Sequence, residues 1–258
     1  MSLRPDFSTF SAEDTAIMEE ITGTPAKAML AQSGLLPTPP SNAVILDNAC
    51  GAAVLTSILF EAIGKTGDVR VVCADLDDNM VKNAAERIKS NGWNAEATVA
   101  DAQALSFPDN QFTHNLINFG IQHISDATLV AKESFRVLKS GGKLGITSWV
   151  SPGWLESFQA VIPGFTLPPI ITEGPTATKE STTTFLSAAG FTNVEVQSFK
   201  FEHTQGLARY LNTMKQKIFP TLLVGETAEK YDSYMKERYG EGDFTLTWEA
   251  LVITADKP

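Results

Sequence analysis

Three aspartates close three successive segments that read as strands, the first two of them apolar runs. Asp47 follows Ala43-Val44-Ile45-Leu46, Asp75 follows the run 69–74, and Asp101 follows the run 95–100. A carboxylate at the end of a buried strand can accept hydrogen bonds from a ligand lying across the strand ends. Asp75 suits the paired hydroxyls of a ribose, in nicotinamide cofactors as in other nucleosides. Asp101 with Ala102 suits an adenine: the carboxylate accepts from the exocyclic amine and the backbone amide reaches a ring nitrogen. Between Asp47 and the first helical pattern lies Asn48-Ala49-Cys50-Gly51-Ala52-Ala53, whose small residues let backbone approach a ligand closely. Each feature has a plainer reading alone: a tight turn, a helix-capping acid beside Asp77 and Asp78, a solvated turn residue. Three acids at consecutive strand ends are a stronger signal than any one.

The elements that must position these acids alternate. The short apolar runs read as buried strands, followed by helical patterns to about Ile63 and over 78–90, with Asn91-Gly92 ending the second. Residues 112–119 give a fourth strand. Ser125 or Asp126 caps a helix with Ala127, Val130, Ala131, Val137 and Leu138 on one face, and Ser140-Gly141-Gly142 closes it before a fifth strand over 143–150. Such alternation implies βαβ units, a mostly parallel sheet and helices on both faces. Residues 179–189, 191–201 and 245–255 read as a helix and two further strands. Residues 1–40 read as an N-terminal helical cap: two short helices, starting near Ser11 and at Thr24-Pro25, then the rigid linker Leu36-Pro37-Thr38-Pro39-Pro40. Residues 41–258 form the main domain. Its inserts 151–177 and 206–242 are expected to be lids that carry substrate contacts.

The chain has 258 residues, with 30 acidic against 20 basic and a formal net charge of −10. That balance argues against binding nucleic acid or an anionic membrane surface. Hydrophobic residues make up 43%, enough for a core without disulfides or metals. The two cysteines, Cys50 and Cys73, read as reduced thiols of a cytoplasmic protein, and the N-terminal segment lacks a signal-peptide pattern.

Four segments, in order, resemble the class I S-adenosylmethionine-dependent methyltransferases. Ile45-Leu46-Asp47-Asn48-Ala49-Cys50-Gly51 is similar to the family's glycine-rich loop in its Ala-Cys-Gly form. Ala74-Asp75-Leu76-Asp77-Asp78-Asn79-Met80 resembles its ribose-binding segment. Ala100-Asp101-Ala102, with 105–112, resembles its adenine segment, and 135–144 its helix-to-fifth-strand signature. The chain departs from the family pattern at Ala53, where a third glycine is usual, and at Thr113, where an acid is common. The whole layout is similar to type-11 methyltransferases. These include the ubiquinone-biosynthesis enzymes and fungal enzymes of the gliotoxin bis-thiomethyltransferase kind, which act on secondary metabolites.

The resemblance implies a Rossmann-like α/β fold with a seven-stranded, mostly parallel sheet and an antiparallel last strand. It implies S-adenosyl-L-methionine as donor, S-adenosyl-L-homocysteine as product and a small-molecule acceptor at S, O or N. Asp47, closing the first-strand motif, would be among the donor-binding residues. The donor's methionine end would lie over Ala49, Cys50 and Gly51. Asp75 would hold the ribose, Leu76 and Met80 would pack on the adenosine, and Asp101 and Ala102 would bind the adenine edge. Asn118 and Phe119 would line the donor site. No metal is implied.

Methyl transfer needs a general base only where the acceptor ionises poorly. Among the three histidines, His123 stands where acceptor and methyl group should meet and is the candidate base or acceptor contact. His114 reads as a core histidine, and His203 could face a lid. Aromatics at 7, 10, 149, 154, 158, 165, 219 and 239 could line an apolar acceptor pocket or face the sulfonium. Cys50 reads better as a small loop residue than as a nucleophile. A nicotinamide oxidoreductase would want G-x-G-x-x-G, which Ala49-Cys50-Gly51-Ala52-Ala53-Val54 does not supply. The alternative is a donor-binding regulatory protein or a non-methylating cyclase on the same fold.

Overall fold

The computed structural model describes residues 12–64 and 68–258; the helix start read at Ser11 and the aromatics Phe7 and Phe10 lie outside them. The strands are β1 (Val44–Asn48), β2 (Arg70–Asp75), β3 (Ala95–Val99), β4 (Phe112–Asn118), β5 (Leu138–Ser151), β6 (Thr192–Gly206) and β7 (Asp243–Asp256). They form one seven-stranded sheet in the order β3-β2-β1-β4-β5-β7-β6. The β3-β2-β1-β4-β5 pairings are parallel, and β7 runs antiparallel to both β5 and β6. The chain leaves β1 toward β2 and later returns to place β4 on the other side. That reversal opens a crevice at the carboxyl ends of β1 and β4.

Nine helices surround the sheet among the described residues: α1 (Ala12–Gln32), α2 (Val54–Ile63), α3 (Asp78–Asn91), α4 (Ala127–Val137), α5 (Leu155–Val161), α6 (Pro169–Thr172), α7 (Lys179–Ala188), α8 (Leu207–Thr213) and α9 (Gly225–Tyr239). Alternation along the strands divides the core. Leu46, Ile117 and Ile146 face one way, onto Val130 of α4 and Leu186 of α7. Ile45, Leu116 and Val71 face the other, onto Met29 and Leu30 of α1 and Leu59 of α2. A third cluster, under α5, α8 and α9, gathers Phe158, Tyr231 and Trp248.

Two local expectations change. Thr24-Pro25 does not start a second helix; α1 runs through it with Pro25 inside. An interior proline costs about 3 kcal/mol. Full burial of Ala26, Met29 and Leu30 against the sheet outweighs that cost at roughly 1.5–3 kcal/mol per large apolar side chain. Nor does Ser140-Gly141-Gly142 stand between α4 and β5. The helix ends at Val137, and these residues form an irregularity inside β5, where the pairing with β4 jumps from Phe112↔Leu138 to His114↔Lys143. Thr113, the residue in place of the family acid, ties β4 to β1: its hydroxyl accepts the Val44 N–H and donates to the Val44 carbonyl, both at 3.0 Å.

Gly145 lies mid-β5 under α1. A Cβ there would stand 2.6 Å from Leu116 Cδ2 and 3.1 Å from Met29 Cγ. Gly145→Ala should therefore destabilise the fold by about 1–3 kcal/mol, measured by urea unfolding.

Candidate functional site

The crevice is a cavity of about 510 Å³, walled along the sheet edge in strand order. Asp101 and Ala102 stand after β3, Asp75 and Leu76 after β2, Ala49–Ala52 after β1, Asn118–Gly120 after β4, and Trp149 near the end of β5. Met80 of α3 and His123 complete the rim, and Thr15, Met18 and Thr22 of α1 roof it. The ten donor-site residues expected beside Asp47 fall in four separate segments of the sequence, and the fold brings all ten, with His123, to one cavity.

The loop after β1 is built from left-handed residues: Ala49 (φ 55°), Gly51 (φ 53°) and Ala53 (φ 60°). Across the crevice Phe119 has φ 58°. For an L-residue this conformation costs roughly 1–2 kcal/mol. The other described non-glycine residues with positive φ are Asn42, Asn110 and Asn193, a type that tolerates it. The costly ones gather at this cavity, as strain does at binding sites. Gly120 adds a steric demand: a Cβ there would lie 2.7 Å from the Ala49 Cβ.

Hydrogen bonds fix the acids. Asp75 Oδ2 accepts the Gly51 N–H at 2.8 Å and Oδ1 accepts the Asp77 N–H at 3.0 Å. Asp77, not Asp75, caps α3, accepting from the Asn79 and Met80 amides. Asp101 Oδ1 accepts the Gln103 N–H at 2.8 Å, and Gln103 Oε1 accepts from Ser125 Oγ and the Asp126 N–H. Arg136 pins the segment after Asp101 by donating to the carbonyls of Leu105 and Phe107 and to Asp109. Phe119 donates its N–H to the Thr147 carbonyl and hydroxyl, and Asn118 Oδ1 accepts from that hydroxyl at 2.7 Å.

Asp47 is not on the wall. It is buried beneath the loop, where Oδ2 accepts from the Thr56 hydroxyl at 2.6 Å and the Thr56 N–H at 3.3 Å. Burial pushes its pKa up from 3.8 to about 7, against the Thr56 hydrogen bonds that lower it. The Cys50 thiol donates to the Gly51 carbonyl at 3.2 Å, and the neighbouring Cys73 thiol and burial hold its pKa well above the ordinary range, as suits a small loop residue. His114 is a core histidine, as its position inside β4 predicted: Nε2 lies 3.2 Å from the Ser33 carbonyl, and burial lowers its pKa to about 4. His203 faces α1, with Nε2 3.7 Å from Glu20.

The sequence reads residues 1–40 as a helical cap, but the side chains of it that meet the cavity, Thr15, Met18 and Thr22 on one face of α1, carry no motif that marks them. Among the described residues, no residue of 151–177 or 206–242 lines the cavity. The second of these segments instead holds the roof. Arg209 grips Glu20 at 3.0 and 3.1 Å, Lys217 pairs with Asp14 at 3.2 Å, and Ile218 packs beside Met18, Ala52 and Met80. Arg87 of α3 pairs with Glu19.

The sheet order, the antiparallel last strand and the crevice over a left-handed loop and a strand-end acid are those of the class I S-adenosylmethionine-dependent methyltransferase fold. Comparison with known proteins agrees: residues 31–159 match the ubiE/COQ5 methyltransferase family, and the chain belongs to it. Methyltransferase ktnA of Aspergillus niger is 30% identical, over 83% of this chain and 84% of its own length. Acetylaranotin bis-thiomethyltransferase of Aspergillus terreus is 27% identical, over 94% of this chain and 92% of its own. Among solved structures, phosphoethanolamine N-methyltransferase 2 of Haemonchus contortus, bound to phosphomonomethylethanolamine and S-adenosylhomocysteine, shares the fold. Its TM-score is 0.59 at 21% identity, covering 100% of this chain and 60% of that one.

The folded state holds a proton on Asp47 between about pH 4 and 7 that the unfolded chain has lost. Its contribution to stability is therefore full below about pH 4 and declines as pH rises to 7. His114, depressed when folded, slopes the opposite way over part of that window, so wild type is best compared with a variant. Asp47→Asn keeps an acceptor for Thr56 and should raise stability by roughly 1–3 kcal/mol at pH 8, with little change at pH 4, measured by denaturant unfolding at both pH values.

Proposed function

We propose that the cavity holds the donor with its ribose on Asp75, its adenine on Asp101 and the Ala102 amide, and its sulfonium end over Ala49–Gly51, directed toward Phe119. The residues fit such a group. Asp75 and Asp101 keep carboxylate lone pairs beyond those used by backbone amides. A side chain at Gly51 would project into open space with nothing within 4 Å, so its absence keeps the cradle clear. Leu76 and Met80 flank the same acid and offer apolar surface to the adenosine.

The distribution of charge along the wall carries the reading of the acceptor. The Asp and Glu side chains lining the cavity, Asp75, Asp77 and Asp101, all lie at the β2–β3 end. The β4–β5 end offers Phe119, Trp149 and His123, and among the described residues it and the roof residues Thr15, Met18 and Thr22 contribute no lysine, arginine or carboxylate to the lining. That end suits an uncharged small molecule and gives a phosphate or carboxylate no counter-charge. The acceptor is a secondary metabolite methylated at S, O or N; the similarity to acetylaranotin bis-thiomethyltransferase supports that class. His123 contacts the acceptor and takes its proton where the acceptor ionises poorly.

When bound, the sulfonium supplies an already activated methyl carbon. This chain's own contribution is position: oriented reactants can gain roughly 7–11 kcal/mol. The roof of α1 excludes water from the transfer. None of the described helices is long and apolar enough to cross a membrane. A cytoplasmic setting fits two free, buried thiols, and the net charge of −10 disfavours a nucleic-acid acceptor.

The test is a mass-spectrometric screen of protein and S-adenosylmethionine against uncharged thiols and phenols, with carboxylic acids and amines alongside. The expected result is a product heavier by one methylene unit from an uncharged thiol or phenol, lost in Asp75→Ala and reduced at least about tenfold in His123→Ala for phenols. Products from charged acceptors alone would overturn the acceptor reading.

A further inference from the structure

The β4–β5 ladder ends at Asn118↔Thr147. Phe119 still donates to Thr147, then its left-handed backbone turns the chain into Gly120 and the single 3₁₀ turn Ile121–His123. Two residues past Thr147, the main-chain groups of Trp149 on that side have no strand to meet. The Gln122 side chain takes both. Its Oε1 accepts the Trp149 N–H at 2.7 Å and its Nε2 donates to the Trp149 carbonyl at 3.0 Å. A carboxamide used in this way imitates one residue of a missing strand. Gln122 is 8% exposed, so the two bonds are made largely out of water, where leaving either partner unmatched costs most.

What Gln122 holds is an indole. Trp149 stacks on Phe119 with ring centroids 3.9 Å apart and planes 19° apart, and Trp248 backs it at 5.2 Å. Phe119 and Trp149 both line the cavity at the end away from its carboxylates. An aromatic face attracts a cation within about 6 Å of the ring centroid. The donor carries a sulfonium and the product a neutral thioether, so such a wall would favour one over the other.

We propose that Gln122 is a positioning residue: by fixing Trp149 against Phe119 it sets an aromatic wall before the sulfonium, so that the cavity prefers the cationic donor to its neutral product. The proposal rests on the donor placement given above. Its functional consequence is exchange, since a product that loses the cationic contact on transfer is displaced more readily by fresh donor.

The test is calorimetric titration of S-adenosylmethionine and S-adenosylhomocysteine into wild type, Gln122→Met, Trp149→Leu and the double variant. Gln122→Met should weaken binding of the sulfonium about three- to tenfold and of the thioether less than about twofold. Trp149→Leu should shift the ratio alike, and the double variant should add little further, because the two residues act as one unit. Equal weakening of both ligands, which a merely structural role would give, would overturn the proposal, as would an unchanged ratio or full additivity. Gln122→Glu keeps the acceptor for the Trp149 N–H and serves if Gln122→Met does not fold; it should shift the ratio less, in the same direction. Failure of wild type to bind either ligand would instead overturn the donor placement itself.

Discussion

The hydrogen bond from the Gly51 N–H to Asp75 Oδ2, 2.8 Å long, joins the loop after β1 to the end of β2. The loop's left-handed residues would not hold their shape alone, and this bond, with the Cys50 N–H on the Ala74 carbonyl at 3.0 Å, anchors them. The same carboxylate accepts the Asp77 N–H and so sets where α3 begins. One side chain thus fixes the floor of the cavity, one of its walls and the direction of its own remaining lone pairs. Neighbouring strands repeat the arrangement: the Ala100 N–H meets the Asp75 carbonyl at 2.9 Å, which carries the register outward to Asp101.

The roof is held differently from the floor. The second half of α1 is core, with Met29 and Leu30 wholly buried on the sheet. The first half sits on the cavity and is held by the pairs Asp14–Lys217, Glu19–Arg87 and Glu20–Arg209. Partly exposed pairs of this kind contribute at most about 1 kcal/mol each. Gly23 lets the helix pass close to α2, since a Cβ there would stand 3.0 Å from Ile58 Cδ1. The segment carrying Arg209 and Lys217 acts on the cavity through α1 and, at Ile218, through packing on Ala52 and Met80 of its wall.

The sheet was legible because buried strands need continuous apolar runs, and those runs end in acids only where a polar edge is wanted. Asp75 and Asp101 could be singled out for that reason, Ala49–Gly51 by their small side chains, and Asn118–Phe119 only through the family resemblance. Asp47 could not be told from them by type: it ends a run in the same way, yet alternation along β1 turns it inward to Thr56 rather than to the cavity. The roof contacts were not legible because Thr15, Met18 and Thr22 belong to no motif; Pro25, which reads as a helix start, hid only the continuity of α1 into its buried half, where tertiary burial makes it a helix interior. Gln122 left no local signal at all. Its role depends on β4 stopping at Asn118, opposite Thr147, while β5 runs on to Ser151, and that is a property of two strands far apart in sequence.

The account rests most on the direction in which the donor lies along the strand ends. A crystal structure with S-adenosylhomocysteine bound measures it directly. The predicted result places both ribose hydroxyls within hydrogen-bond distance of Asp75, the adenine amine at Asp101, and the thioether sulfur over the Ala49–Gly51 loop toward Phe119 and Trp149. A ligand lying the other way, with its adenine against Trp149, or bound outside this crevice, would contradict the account.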